Sequence, residues 1–352
     1  MYPVFTLVLQ YRAMQDENNI PQTGPQSPYW PPQTPPAEPK PELYNKFMQA
    51  GLQGRNRFGF YLATGALAMG GYILGQIPFL FIAVVAIKKK YISLTDPDIN
   101  SKLLNPEVIH QPPWLVLALT LFIFVVAMAG LWLGVTKVQR KKFVSIVTGH
   151  AKFRRERFLT GSIIWGGLMA ALLALNMALK PDDVVYTFSA KDFIPSFIVA
   201  VLLLPVQTWF EEFFMRGSLL QGFAQATKSP VWGIIITSLL FAGMHMFNPE
   251  AAKYGRLAVL PQYLLPAILF GVITVLDEGL ELAMGMHFIN NLFGAVVITS
   301  SDSAIQSSTI WRSVGDMNMA AENISYLIVM TVVIAFLLWR YKWKADKLYR
   351  WY

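Results

Sequence analysis

The sequence predicts an all-α, polytopic transmembrane helical bundle with about eight spans. Of 352 residues, 54% are hydrophobic and only 14% are charged, against about 25% charged in a soluble globular protein. Mean hydropathy is +0.42. Apolar runs near the ~20 residues needed to cross hydrocarbon recur along the chain, separated by short polar loops.

The elements follow in order. Met1–Ala13 is mildly apolar, but only Pro3–Gln10 resembles a signal-peptide core. It lacks a positive lead and a small-residue cleavage site, so no signal peptide is expected, and Met14 is a second candidate start. Gln15–Leu43 is rich in Pro, Gln, Asn and Ser and cannot bury enough apolar surface to offset its ordering entropy. The expected layout is a disordered tail over 1–57, a transmembrane domain over 58–341 and a basic cytoplasmic tail over 342–352. The spans fall near 58–87, 114–136, 158–179, 193–223, 231–247, 259–276, 282–300 and 322–340. Gly59, Gly65, Gly70, Gly71 and Gly75 suit the first span to close helix packing in lipid.

A charge of +8 would hint at nucleic acid in a soluble protein. Here the basic residues cluster beside apolar spans, which is the positive-inside pattern, and no nucleic-acid partner is expected. The loop 137–157 holds Arg140, Lys141, Lys142, Arg154, Arg155 and Arg157, and the C-terminal tail adds Arg340, Lys342, Lys344, Lys347 and Arg350. Six spans separate the two, so both lie on one side, cytoplasmic by the same rule. The protein is expected as a multi-pass protein of the cell membrane with lipid as its neighbour. Lys88–Lys90 fall on the other side under this scheme.

There is no cysteine, which removes disulfides, thiolate ligands and a cysteine nucleophile. Any metal must be held by His, Asp, Glu or Asn. Glu211 and Glu212 stand side by side inside the fourth span, where a charge costs roughly 2.5–3.5 kcal/mol on insertion scales. Glu212 and Arg216 are i,i+4 neighbours and can pair, while Glu211 points about 100° away. This divides labour between an architectural clamp, Glu212 with Arg216, and a carboxylate left for proton transfer, Glu211. Burial in apolar surroundings disfavours the charged form of a carboxyl group, which suits it to proton transfer near neutral pH.

His245 closes the fifth span in Phe241-Ala-Gly-Met-His245, before the breaker Asn248-Pro249. His287 and Asn291 are i,i+4 on the seventh, so both project from one face. Their convergence on Glu211 requires tilted or kinked helices, which Pro205, Pro261 and Pro266 can supply, and a water-accessible cavity between spans four, five and seven. His110 and His150 read as solvated loop residues. Asp277, Glu278 and Glu281 read as a solvated acidic loop. There is no His-Glu-x-x-His and no Gly-x-Ser-x-Gly.

The order Glu211-Glu212-x-x-x-Arg216, Phe241-x-x-x-His245, His287-x-x-x-Asn291, one motif per span, resembles the CPBP family of intramembrane proteases, which includes the type II CAAX prenyl endopeptidases. The resemblance covers about 193–300. It implies an intramembrane endopeptidase acting on a membrane-embedded or lipidated protein or peptide substrate. Glu211 and His245 would activate water, with His287 and Asn291 stabilising the oxyanion. It leaves the metal question open: either no cofactor is used, or Glu211, His245 and His287 hold Zn²⁺ as in a metalloprotease. Two readings of other classes stand beside it. An ion-coupled transporter would use the same residues as a proton relay, but the chain lacks the internal repeat expected of one. A non-catalytic scaffold or immunity protein would keep the fold alone.

Overall fold

The computed structural model describes residues 44–96 and 98–351; most of the tail expected over 1–57 lies outside them. Helices occupy every expected span, and six are long and apolar enough to cross a bilayer: Phe58–Lys88, Pro113–Val138, Arg155–Leu179, Ala190–Thr227, Arg256–Asp277 and Met319–Tyr341. The other two expected spans are the helices Pro230–His245 and Glu281–Val296, of 16 residues each. At 1.5 Å per residue each is about 24 Å long, short of the ~30 Å hydrocarbon thickness. A count of eight full spans is therefore not reached by helix length. Both short helices carry site residues.

In chain order the helices that matter here are α1 (Lys46–Gly51), α2 (Phe58–Gly75), α3 (Ile77–Lys88), α4 (Ile99–Leu104), α5 (Pro113–Leu133), α6 (Arg155–Leu179), α7 (Ala190–Glu212), α8 (Leu220–Thr227), α9 (Pro230–His245), α10 (Pro249–Tyr254), α11 (Arg256–Asp277), α12 (Glu281–Val296) and α13 (Met319–Tyr341). At one end of the bundle β1 (Val184–Tyr186), β2 (Ile298–Ser300) and β3 (Trp311–Ser313) form a small sheet in the order β1-β3-β2, antiparallel then parallel.

The other end gathers the basic segments, and two expectations change there. The acidic turn 277–281 is a buried hub rather than a solvated loop. Arg154 pairs with Asp277 at 2.9 Å and with Glu281 at 2.6 Å, Arg157 reaches Asp277 at 3.4 Å, and Lys347 meets Glu278 at 3.2 Å. Glu281 is wholly buried. Arginine forks from the facing loop neutralise carboxylates that water was expected to solvate. The tails are also folded further than their composition implies. Asn45 caps α1, donates to the Val275 carbonyl at 2.8 Å, and lets Phe47 and Met48 enter the core. Trp343 donates to Asp277 at 3.1 Å, and Trp351 is buried. Residues 46–51 and 343–351 thus belong to the bundle, because a few apolar anchors outweigh a polar average. His150 lies against the same hub, half-buried, with a ring nitrogen 3.4 Å from the Asp277 carbonyl.

Close approach of α6 and α12 sets the geometry of the site. A Cβ on Gly161 would collide with the Leu282 carbonyl, and one on Gly285 with the Phe158 carbonyl. Ser162 sits between these contacts and donates to the Gly285 carbonyl at 3.1 Å. Small residues bring two backbones together in lipid, where apolar surface alone gives no driving force.

Candidate active site

Four helices build the site. α7 carries Glu211 and Glu212 at its end, and the chain continues as a π-helical segment, Phe213–Leu219, before α8. Such segments recur at functional sites. Arg216, inside this segment, donates to Glu212 Oε1 at 3.0 Å. Both are buried, at 1% and 0% side-chain exposure. The guanidinium lies over the Phe241 ring of α9 at 4.5 Å and the Phe270 ring of α11 at 5.7 Å, and donates to the Ala267 carbonyl at 3.4 Å. A buried arginine needs all of these, because it cannot shed its charge.

His287 of α12 stands between the two glutamates. Its Nδ1 lies 2.7 Å from Glu212 Oε1 and its Nε2 lies 3.4 Å from Glu211 Oε2. The ring has one nitrogen on each side, so carboxylates on diverging faces of α7 reach the same imidazole. The 100° divergence expected of Glu211 and Glu212 is thus bridged. Glu211 keeps 12% side-chain exposure, against 0% for Glu212.

Asn291, one turn beyond His287, faces α7 as its spacing predicts. Its Nδ2 donates to Gln207 Oε1 at 2.9 Å, and Gln207 lies one turn before Glu211. Asn290 donates to Asn291 Oδ1 at 3.1 Å and accepts from Trp165 Nε1 at 3.1 Å.

His245 belongs to a neighbouring cluster. Among the described residues, no hydrogen bond or ion pair joins it to either glutamate. Its Nδ1 meets the Phe241 carbonyl at 2.7 Å, one turn back, and its ring lies 4.4 Å from the Tyr263 ring at 31°. A carbonyl only accepts, so Nδ1 carries the hydrogen and Nε2 is the open position of the neutral ring. Tyr263 donates to Glu250, and Asn248 donates to the Tyr263 hydroxyl at 2.9 Å. Burial pushes the Glu250 carboxyl above the usual carboxylate range, against hydrogen bonds that act to lower it. Phe241 connects the two clusters, its ring 4.3 Å from His245 and 6.2 Å from His287.

The convergence expected of Glu211, His245, His287 and Asn291 is therefore partial. Glu211, Glu212, Arg216, His287 and Asn291 share one array, and His245 stands one aromatic ring away. Where spans four and seven meet, Glu211 keeps 12% and His287 8% side-chain exposure. A cleft seen elsewhere is lined by Leu104, Val116, Leu121 and Ile305. Among the described residues no three His, Asp or Glu side chains are grouped so as to hold a metal ion. Glu211, His245 and His287 do not form the zinc set considered from sequence.

Gln207, Asn290, Trp165, Tyr263 and Glu250 were not singled out from the sequence. An amide inside an apolar span was a usable signal for Gln207 and Asn290. Tyr263 and Glu250 carried none, since their role follows from how α10 and α11 fold back on His245.

Residues 192–293 match the family model described as Rce1-like, type II CAAX prenyl endopeptidase. An uncharacterised protein of Bacillus subtilis strain 168, YyaK, is 28% identical over 304 residues, covering 86% of this chain and 98% of its own. No solved structure matches. The matched stretch runs from the start of α7 to the last turns of α12 and contains every residue of the sequence-derived site, and over it the chain is similar to the Rce1-like family.

Proposed function

We propose that this protein is an intramembrane endopeptidase that hydrolyses a peptide bond in a membrane-associated substrate, of CAAX type or otherwise close to lipid. One observation carries the reading: the adjacent carboxylates have unequal partners. Glu212 Oε1 accepts from both Arg216 and His287 and is wholly buried, while among the described residues Glu211 has only the 3.4 Å approach of His287 and retains exposure. Glu212 is held; Glu211 is available.

Amide hydrolysis needs a base for water, donors for the developing oxyanion and a proton for the leaving nitrogen. In this reading Glu211 takes the proton of the attacking water and delivers it to the leaving amine. His245 joins water activation through its open Nε2. With both ring nitrogens of His287 carrying hydrogen, the substrate carbonyl competes with Glu211 for the Nε2–H, and Asn291 adds its free N–H. Glu212 and Arg216 fix the His287 ring.

The site also sits at a useful depth. His287 is six residues into α12, about 9 Å from the basic end. The excess of Lys and Arg assigns that end, with the C-terminus, to the cytoplasm. A substrate held at the membrane surface by a lipid would reach it from there.

The test is cleavage of a lipid-anchored peptide by purified protein in liposomes. Glu211→Gln and His245→Ala are each expected to lower kcat by about 10²-fold or more while melting close to the parent protein. Cleavage persisting in both variants would overturn the reading.

A further inference from the structure

Trp165, Asn290, Asn291 and Gln207 form a hydrogen-bonded chain across α6, α12 and α7 whose direction is fixed at one end. An indole N–H can only donate. Trp165 Nε1 donates to Asn290 at 3.1 Å, so the atom of Asn290 facing it is the carbonyl oxygen, and its amide nitrogen must face the other way. That nitrogen donates to Asn291 Oδ1 at 3.1 Å, which turns the Asn291 amide nitrogen toward α7, where Gln207 Oε1 accepts at 2.9 Å. The direction is inherited link by link. A reversed Asn291 would set its NH₂ against the NH₂ of Asn290, donor against donor.

Two consequences follow for Asn291. Its oxygen faces Asn290 and accepts from it. Its nitrogen carries two hydrogens, of which Gln207 takes one, so the donor left over is a single N–H. Trp165 and Gln207 are both buried, and Asn290 and Asn291 are half-buried, so water competes poorly for these links. The backbone contacts of Gly161 and Gly285, one turn before Trp165 and Asn290, hold the two helices close enough for the first link.

We propose that Trp165 and Asn290 are positioning residues that lock the Asn291 amide with its N–H, and not its oxygen, turned to the reacting carbonyl. This rests on the reading of Asn291 as an oxyanion donor. Neither residue needs to touch the substrate, and Trp165 lies outside the stretch matched by the family model.

The test uses two substitutions of the same chemical kind at opposite ends of Asn291. Asn290→Asp cannot donate, so it draws the Asn291 NH₂ toward itself and leaves the Asn291 oxygen facing the site. Gln207→Glu still accepts from Asn291 and preserves the direction. Both add one negative charge, and the charge introduced by Gln207→Glu would stand one turn from Glu211, where it is the more harmful. Chain direction therefore predicts an order that charge alone opposes. With the full-length protein in liposomes and a lipid-anchored peptide, Asn290→Asp is expected to lower kcat at least tenfold below Gln207→Glu, with KM within threefold of the parent for both. Asn290→Leu, which breaks the chain without reversing it, falls between Asn290→Asp and the parent. Equal losses in the two carboxylate variants, or a kcat loss in all three that merely follows their melting temperatures, overturn the proposal. Glu211→Gln run in parallel separates the cases. If it still cleaves, the reading of the site fails; if it is inactive while Asn290→Asp matches Gln207→Glu, only this inference fails.

Discussion

Removing Glu212 should cost more stability than removing Arg216, although the two form one ion pair. Glu212→Gln leaves a guanidinium at 1% exposure without its counter-charge. Arginine cannot be deprotonated there, so the full cost of an unpaired buried charge remains, about 3–5 kcal/mol. Arg216→Met leaves a carboxylate that can take up a proton and keeps His287 at 2.7 Å. Methionine also suits the slot between the Phe241 and Phe270 rings, so the loss should be only about 1–3 kcal/mol. In the double variant no charge is stranded, and an apolar replacement of a buried pair is often close to neutral.

The cycle therefore predicts an order of melting temperatures: Glu212→Gln lowest, Arg216→Met intermediate, the double variant near the parent. With the double variant near the parent, the coupling energy equals the summed single losses, about 4–8 kcal/mol, above the ~0.5–3 kcal/mol usual for contacting residues because one single variant strands a buried charge. Thermal melts of the four proteins in one detergent read it, with Glu212→Gln falling by roughly 5–15 °C. Activity separates the pair's roles, because the double variant should regain stability without regaining turnover: His287 has lost the carboxylate that orients it. Single losses that add to the double loss within about 0.5 kcal/mol would refute the assignment of Glu212 and Arg216 as a closed buried pair.

Two further outcomes follow. Lys141 is buried outside the spans, donating to the Gly51 carbonyl and the Tyr61 hydroxyl at 2.7 Å each, and burial pushes its amine down to about 7. The unfolded chain then binds more protons than the folded one between about pH 7 and 10.5, so stability rises with pH across that window by on the order of a few kcal/mol; melting curves of the parent minus those of Lys141→Met should show the rise, and a flat difference refutes it. Gly285→Ala places a Cβ against the Phe158 carbonyl and must separate α6 from α12, costing about 1–3 kcal/mol and lowering kcat along with it; an unchanged melting temperature would show that the helices are not in that contact.

The sequence made the fold class, the helix positions and most of one array legible for a physical reason. In an apolar span each ionisable residue is conspicuous, so Glu211, Glu212, Arg216 and His287 announce themselves, and i,i+4 spacing pairs Glu212 with Arg216 and places Asn291 beside His287. What spacing leaves open is how faces of different helices turn toward each other. The meeting of both glutamates at one imidazole depends on the rotation of α12 against α7, and the seat of His245 beside Tyr263 depends on the fold-back of α10. Loops were harder still. Asp277, Glu278 and Glu281 look solvated because their partners Arg154, Arg157 and Lys347 lie roughly 70 to 130 residues away in sequence.

The cost of polarity in lipid explains how tasks are divided in this site. An ionised side chain is acceptable only where it is compensated or can reach water, and Glu212 takes the first route while Glu211, with its residual exposure, takes the second. A further charge to aim Asn291 would need its own counter-ion. Neutral amides do that work instead: each carries both a donor and an acceptor, so a row of them can hand an orientation from one helix to the next with every link satisfied. The weakness of such a row is that amides can all reverse together, and Trp165 removes it, because an indole has no acceptor to offer. A donor-only residue at the head of an amide chain, aimed at a polar residue beside paired carboxylates, is therefore the feature that separates an oriented site from a merely polar one.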